Sequence, residues 1–125
     1  MKINNAEFSK CLNLRIIRFV LSVINLLRSV RWIDAGLESI RRQVIRSSTS
    51  IGANYNEAIA ASSIRDFTVF LNHALKSANE TKYWLFILGE LSPAKDEIMK
   101  KFEQECFEIA NILGASVRTM RKKKT

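Results

Sequence analysis

Residues 34–60 read DAGLESIRRQVIRSSTSIGANYNEAIA, and the spacing within them decides the fold. Leu37, Ile40, Val44, Ser48, Ile51, Tyr55 and Ala58 recur at steps of three and four. That period places apolar and small side chains along one face of a helix and is wrong for a strand, whose faces alternate every second residue. Asp34, immediately before the pattern, is a cap whose carboxylate can satisfy the first free amides.

The same spacing returns on the C-terminal side. Phe67, Phe70 or Leu71, Ala74, Ala78, Thr81, Leu85 and Leu88 form a second series. Ile98, Phe102, Cys106, Ile109, Leu113, Val117 and Met120 form a third. Ser63-Ile64-Arg65-Asp66 has the spacing of a capping box, and Ser92-Pro93 sets a cap before proline at a first helical position. Upstream, a strongly apolar segment opens near Asn4 or Asn5 and continues to Val30. The chain therefore divides into helices at about 5–30, 35–60, 64–90 and 93–120, one domain over 1–120, with a basic tail at 121–125. Each helix is some 25 residues, roughly 38 Å. Matched lengths and short connections predict an all-α, antiparallel up-down-up-down four-helix bundle.

Composition agrees. The chain has 125 residues, 47% hydrophobic and 26% charged, with only 4 Gly and 1 Pro. So few turn-formers exclude a sandwich or barrel of many short strands. Two Cys, with no CxxC, exclude a disulfide framework and a zinc site; Cys11 and Cys106 are expected as small core residues. The uninterrupted apolar run Phe19–Leu27 falls short of the roughly 20 residues that span a membrane. Arg28, Val30, Arg31 and Trp32 then stand where a signal peptide would have small residues. The expectation is a cytoplasmic protein without a membrane partner.

Two segments are too apolar for one bundle core. The first helix has only a narrow polar stripe of Arg15, Arg18, Ser22, Asn25 and Arg28 or Ser29. The third ends Tyr83-Trp84-Leu85-Phe86-Ile87-Leu88, apolar all round. A surface helix must show one face to water, so Tyr83, Trp84, Phe86 and Ile87 are candidate contacts of a homo-oligomer.

Catalytic chemistry finds little support. His73 is the single histidine; Ser77 and Glu80 neighbour it at helical spacing, but one helix offers no oxyanion hole or substrate loop. A hydrogen-bonded histidine at the helix border is the expectation. Glu103, Glu105 and Glu108 lack the paired Glu-x-x-His of a di-metal bundle, and no glycine-rich phosphate loop occurs. No enzyme activity, cofactor or metal is expected.

More is carried by the polar line Arg46, Ser50, Asn54 and Glu57, spaced four, four and three. An antiparallel third helix would set Ser50 opposite the span from His73 to Ser77, and Arg46 near Ser77 and Glu80. Such a layer can fix the register of two helices. The alternative is a groove in which Arg46 binds a phosphate or base; Glu57 and Glu80 would repel such a ligand.

Gln43, Arg46, Ser50, Ile51, Asn54 and Glu57, with Phe67, Phe70, Leu71, Ala74, Ser77 and Glu80, resemble the signature of a bacterial four-helix-bundle family. That family comprises proteins encoded by intervening sequences in large-subunit ribosomal RNA genes. It also comprises the accessory variability determinants of diversity-generating retroelements. The resemblance runs from Phe8 to Met120, with Ala58 where family members commonly have glycine. It implies an all-helical protomer that assembles as a barrel-like homopentamer with a basic surface. For the retroelement members it implies a non-enzymatic protein with nucleic acid and a reverse transcriptase as partners; for the intervening-sequence members it implies little settled function.

Charge points the same way. Net charge is +8, from 20 Lys+Arg against 12 Asp+Glu. Residues 1–60 and the tail are basic, while residues 61–117 are mildly acidic. Arg15, Arg18, Arg28, Arg31, Arg41, Arg42, Arg121, Lys122, Lys123 and Lys124 are the candidate contacts to RNA or DNA phosphates. Binding would be weakly sequence-selective, since no base-reading module is evident. The rival expectation is a protein-interaction scaffold of the intervening-sequence type, with no direct nucleic-acid role.

Overall fold

A computed structural model of the chain describes residues 5–29, 34–91 and 97–123. They form four helices, α1 (Asn5–Ser29), α2 (Ala35–Ile59), α3 (Ile64–Leu91) and α4 (Glu97–Lys123), packed as an all-α up-down bundle. The Asp34 carboxylate caps α2 by accepting from the Gly36 and Leu37 amides at 2.7 and 3.1 Å. The Ser63 hydroxyl caps α3 by accepting from the Asp66 amide at 3.1 Å. The expected Asn4 and Ser92-Pro93 start signals lie outside the described residues.

One boundary differs from the sequence expectation: α4 does not end at Met120 but continues through Arg121 and Lys122 to Lys123. Lys and Arg are good helix formers, and their charge suits the negative end of the helix dipole. Ala58, where a family glycine would stand, is fully buried inside α2. The cap falls two residues later at Ala60, in ordinary right-handed backbone at φ −83° and ψ −4°. No glycine is required at that corner.

The core follows the three-and-four spacing. Leu12, Ile16, Phe19, Val23 and Leu27 of α1 meet Val44, Ile51 and Tyr55 of α2, Leu71, Leu85 and Leu88 of α3, and Cys106, Ile109, Leu113 and Val117 of α4 in one cluster. Ile98, expected inside, is 48% exposed, and its neighbour Met99 takes the inward position. Cys106 is buried as expected, its Sγ donating to the Ala78 carbonyl at 3.4 Å; Cys11 is exposed on α1 instead.

Helix pairing is uneven. α2 and α3 approach most closely along their length, α3 and α4 next, α1 and α2 less, and α1 and α4 least. Both helices bury small side chains, Ser47 and Ser48 on α2 and Ala74 and Ala78 on α3, all essentially inaccessible. The hydroxyls of Ser47 and Ser48 cost little there, because each donates to a carbonyl of its own helix.

Candidate nucleic-acid interface

The polar line of α2 forms with the register expected of it. The Ser50 hydroxyl accepts from Ser77 Oγ at 2.9 Å and from Asn54 Nδ2 at 3.0 Å, the same amide also reaching the Ser50 carbonyl. One turn away, Arg46 pairs with Glu80 and donates to Gln43 Oε1 at 2.8 Å. Glu80 also accepts from the Trp84 indole at 2.9 Å. The layer is satisfied from within: Arg46 is committed to Glu80, and Glu57 stands exposed beside it.

That geometry also dissolves the Ser-His-Glu arrangement. Ser77 is turned to Ser50 and Glu80 to Arg46, while His73 is exposed and meets Phe70 edge-on at 5.8 Å between ring centroids. Among the described residues His73 has this ring contact and no hydrogen bond. Among the described residues no three His, Cys, Asp or Glu side chains stand close enough to hold a metal ion. Among them, no helix is long and apolar enough to cross a membrane.

The candidate arginines separate into two groups. Arg15 is bound by two carboxylates of α4: its Nε and Nη2 reach Glu105 at 2.8 and 2.6 Å, and Nη2 reaches Glu108 at 2.8 Å. These bonds push the Arg15 guanidinium above its ordinary pKa and hold Glu108 below the usual carboxylate range. Arg41 forks onto Glu38, which Arg42 also reaches at 3.2 Å. Hydrogen bonding from Arg41 holds the Glu38 carboxyl down at about 2. Arg18 and Arg28, by contrast, are exposed with no ion pair among the described residues. Arg121, Lys122 and Lys123 are exposed on the last turn of α4. Arg31 and Lys124 lie outside the described residues.

This partition locates the protein's charge. Arg15, Arg41, Arg42 and Arg46 are matched by Glu38, Glu80, Glu105 and Glu108 within the ion pairs. The networks sum to zero, so the whole net charge of +8 belongs to side chains outside them.

Further cations stand on α3 and α4. Leu75 and Gly114 are level, and the Arg118 guanidinium lies over Gly114. Arg65, Asn72, Lys76 and Asn79, at steps of seven, four and three, share the neighbouring face of α3. On α4, Asn111, Arg118 and Lys122 share another, and no acidic residue follows Glu108. Glu80 is held by Arg46 and Trp84. Sequence reasoning missed Arg65 and Lys76 because the balance was struck along the chain, which filed both in an acidic segment; Arg118 counted with the basic C-terminal residues but not as a contact. The helical spacing of 65, 72, 76 and 79 was the available signal.

Apolar exposure is likewise grouped. On α1, Leu14, Ile17 and Leu21 are 45%, 41% and 56% exposed, opposite the core and between Lys10 and Arg28 at helical steps. On α3, Tyr83 and Phe86 face outward and Ile87 is half-buried. Trp84 is turned inward, half-buried against the core, its indole tied to Glu80.

A family model described as 23S rRNA-intervening sequence protein matches residues 15–115. Among solved structures, the chain is similar to a protein of unknown function from the S23 ribosomal protein family of Bacteroides thetaiotaomicron. Identity is 30%, the TM-score is 0.76, and the match covers 88% of this chain and 97% of that one. Comparison with curated proteins returns no match.

Proposed function

The chain belongs to the 23S rRNA-intervening sequence protein family, and from that premise we propose that it is a non-enzymatic, oligomeric protein that holds RNA or DNA by its phosphates with little regard to sequence. The observation that carries this reading is the location of the charge. Taken together, Arg15, Arg41, Arg42 and Arg46 balance Glu38, Glu80, Glu105 and Glu108, so the +8 lies outside these ion pairs, on cations that include Arg118 and Lys76. A concentration of cations on exposed helix faces is the footprint of polyanion binding.

Oligomerisation strengthens the reading, because each copy repeats the basic surface. The outward stripe Leu14, Ile17 and Leu21, with Tyr83 and Phe86 on α3, supports assembly of several copies; resemblance to the wider four-helix family makes five the number we propose. The same resemblance makes a reverse transcriptase a partner to test, and a scaffold that touches only proteins is the rival.

The deciding experiment is a salt titration of binding to structured RNA and to duplex DNA. Each phosphate contact removed should lower the slope of log affinity against log salt by roughly 0.7 to 0.9. Arg118→Gln with Lys76→Gln should therefore lower it by about twice that, for all sequences alike. Arg15→Gln, whose charge is already matched, should leave the slope unchanged. Absence of salt-dependent binding in the parent chain would favour the scaffold.

A further inference from the structure

Near the first turn of α1 and the last turns of α4 the bundle stands open. These two helices have the fewest close backbone approaches of any neighbouring pair. Their side-chain ties, Arg15 to Glu105 and Phe19 to Phe102, lie further along α1. What remains is a groove of about 600 Å³ whose floor is Tyr55 and Leu71, both buried in the core, and whose walls include Phe8, Ile112 and Met120. Burial pushes the Tyr55 phenol above its ordinary pKa, and its hydroxyl is already paired with Ser9. Among the described residues that line the groove, Lys123 is the single charged side chain and none is a carboxylate.

We propose that this groove binds a single-chain acyl carboxylate, its hydrocarbon along Phe8, Ile112 and Met120 and its head group at Lys123. This site is independent of the nucleic-acid reading. The volume lies in the range of small-ligand sites, which in bundles fall between helices and combine an apolar lining with a few placed polar groups. From Ile112 to Lys123 the wall of α4 runs roughly 16 Å at 1.5 Å per residue, a shape suited to an extended chain. Among the described lining residues, one cation and no anion match one negative head. A peptide segment would bring backbone amides and carbonyls onto Leu71 and Met120, where they would lose water without gaining partners.

The test is calorimetric titration of the full chain with dodecanoate, kept below its micelle threshold, against dodecanol as the neutral counterpart. The expected result is saturable one-to-one binding of dodecanoate and a rise in the melting temperature of the bound protein. Ser116→Trp, which fills the groove from a half-buried position on α4, should abolish it. Ala115→Phe serves as the second filling variant should the first not fold. Lys123→Gln should weaken dodecanoate by about two- to fivefold, the range of an exposed ion pair, and leave dodecanol unchanged. Uptake that never saturates, or binding that survives both filling substitutions, overturns the proposal. So does a Lys123→Gln chain that loses dodecanol as readily as dodecanoate.

Discussion

The Arg15 guanidinium and the Glu105 carboxylate meet through two parallel hydrogen bonds, 2.8 and 2.6 Å long, across ninety positions of sequence. They join α1 to α4, the neighbouring pair that otherwise approach each other least. Glu108 adds a third bond at 2.8 Å.

Arg15→Gln is therefore expected to destabilise the fold by about 1 kcal/mol, a fork between partly exposed groups being worth the upper end of the surface range. Glu108 titrates below its ordinary 4.5 in the folded chain because Arg15, and then Gln104, donate to it. With the folded value the lower one, this stabilisation is complete above pH 4.5 and fades as pH falls through the depressed value. Urea unfolding of parent and variant should show a gap at pH 7 that narrows below pH 4.5. An equal gap at both would mean that Arg15 acts by packing alone.

Ser50 is the acceptor on which two donors converge, and Asn54 is bonded entirely within its own helix. Ser50→Ala should cost about 1–2 kcal/mol, since Ser77 and Asn54 both lose a partner in a half-buried place. Asn54→Ala should cost less, about 0.5–1 kcal/mol, because Ser50 still accepts from Ser77. The order of the two, read from denaturant midpoints, is the critical outcome; its reversal would break this account of the layer.

The outward stripe of α1 gives a test of assembly. Leu21 is 56% exposed, on the side of α1 away from the core. Leu21→Glu should thus leave helical content intact while dispersing the assembly, because a charge in an apolar interface has no partner. Light scattering should report a particle of several 14.3 kDa chains for the parent and a smaller one for the variant. A parent that scatters as one chain would remove the premise.

The two cysteines differ in accessibility, which a thiol reagent can count. Cys11 is exposed and Cys106 is buried, its thiol pushed up to about 12 chiefly by burial. The thiolate is the reactive form. Native protein should react at one thiol per chain and at both only after unfolding. Two fast thiols in native protein would contradict the packing of α4 against Ala78.

The bundle was legible because burial in it is periodic. Val44, Ile51 and Tyr55 recur at steps that only a helix brings to one side, and Asp34 is a cap whose bonds formed as its position required. The Ser50–Ser77 meeting was legible for the same reason, since one short turn fixes the antiparallel register of α2 and α3. Partners across the bundle were not. Nothing local to Arg15 says that Glu105 lies opposite, so Arg15 read as a free cation. Cys11 and Ile98 fell on the wrong side because a residue one step off the core face still fits a loose apolar series. Trp84 read as part of an outward patch, yet one hydrogen bond to Glu80 turns its ring inward. Charge suffered most: counts along a chain do not see that Lys76 falls with Arg65, Asn72 and Asn79 on one face of α3, or that Arg118 lies over Gly114 beside Leu75.

The unequal packing of the four helices also orders how the molecule comes together and apart. α2 and α3 are joined by a turn of a few residues and share the tightest seam, so their pairing closes a short loop and is kinetically cheap. α4 extends that nucleus. α1 is attached to it by its apolar stripe, the Asn13–Asn56 amide pair and the Arg15 fork. Amide exchange should therefore find α1 the first helix to open and α2–α3 the last. A helix that detaches most readily while carrying apolar side chains on both faces is also the one a neighbouring copy could accept in place of its own, so the exchange of α1 between protomers is the rearrangement this architecture permits at least cost.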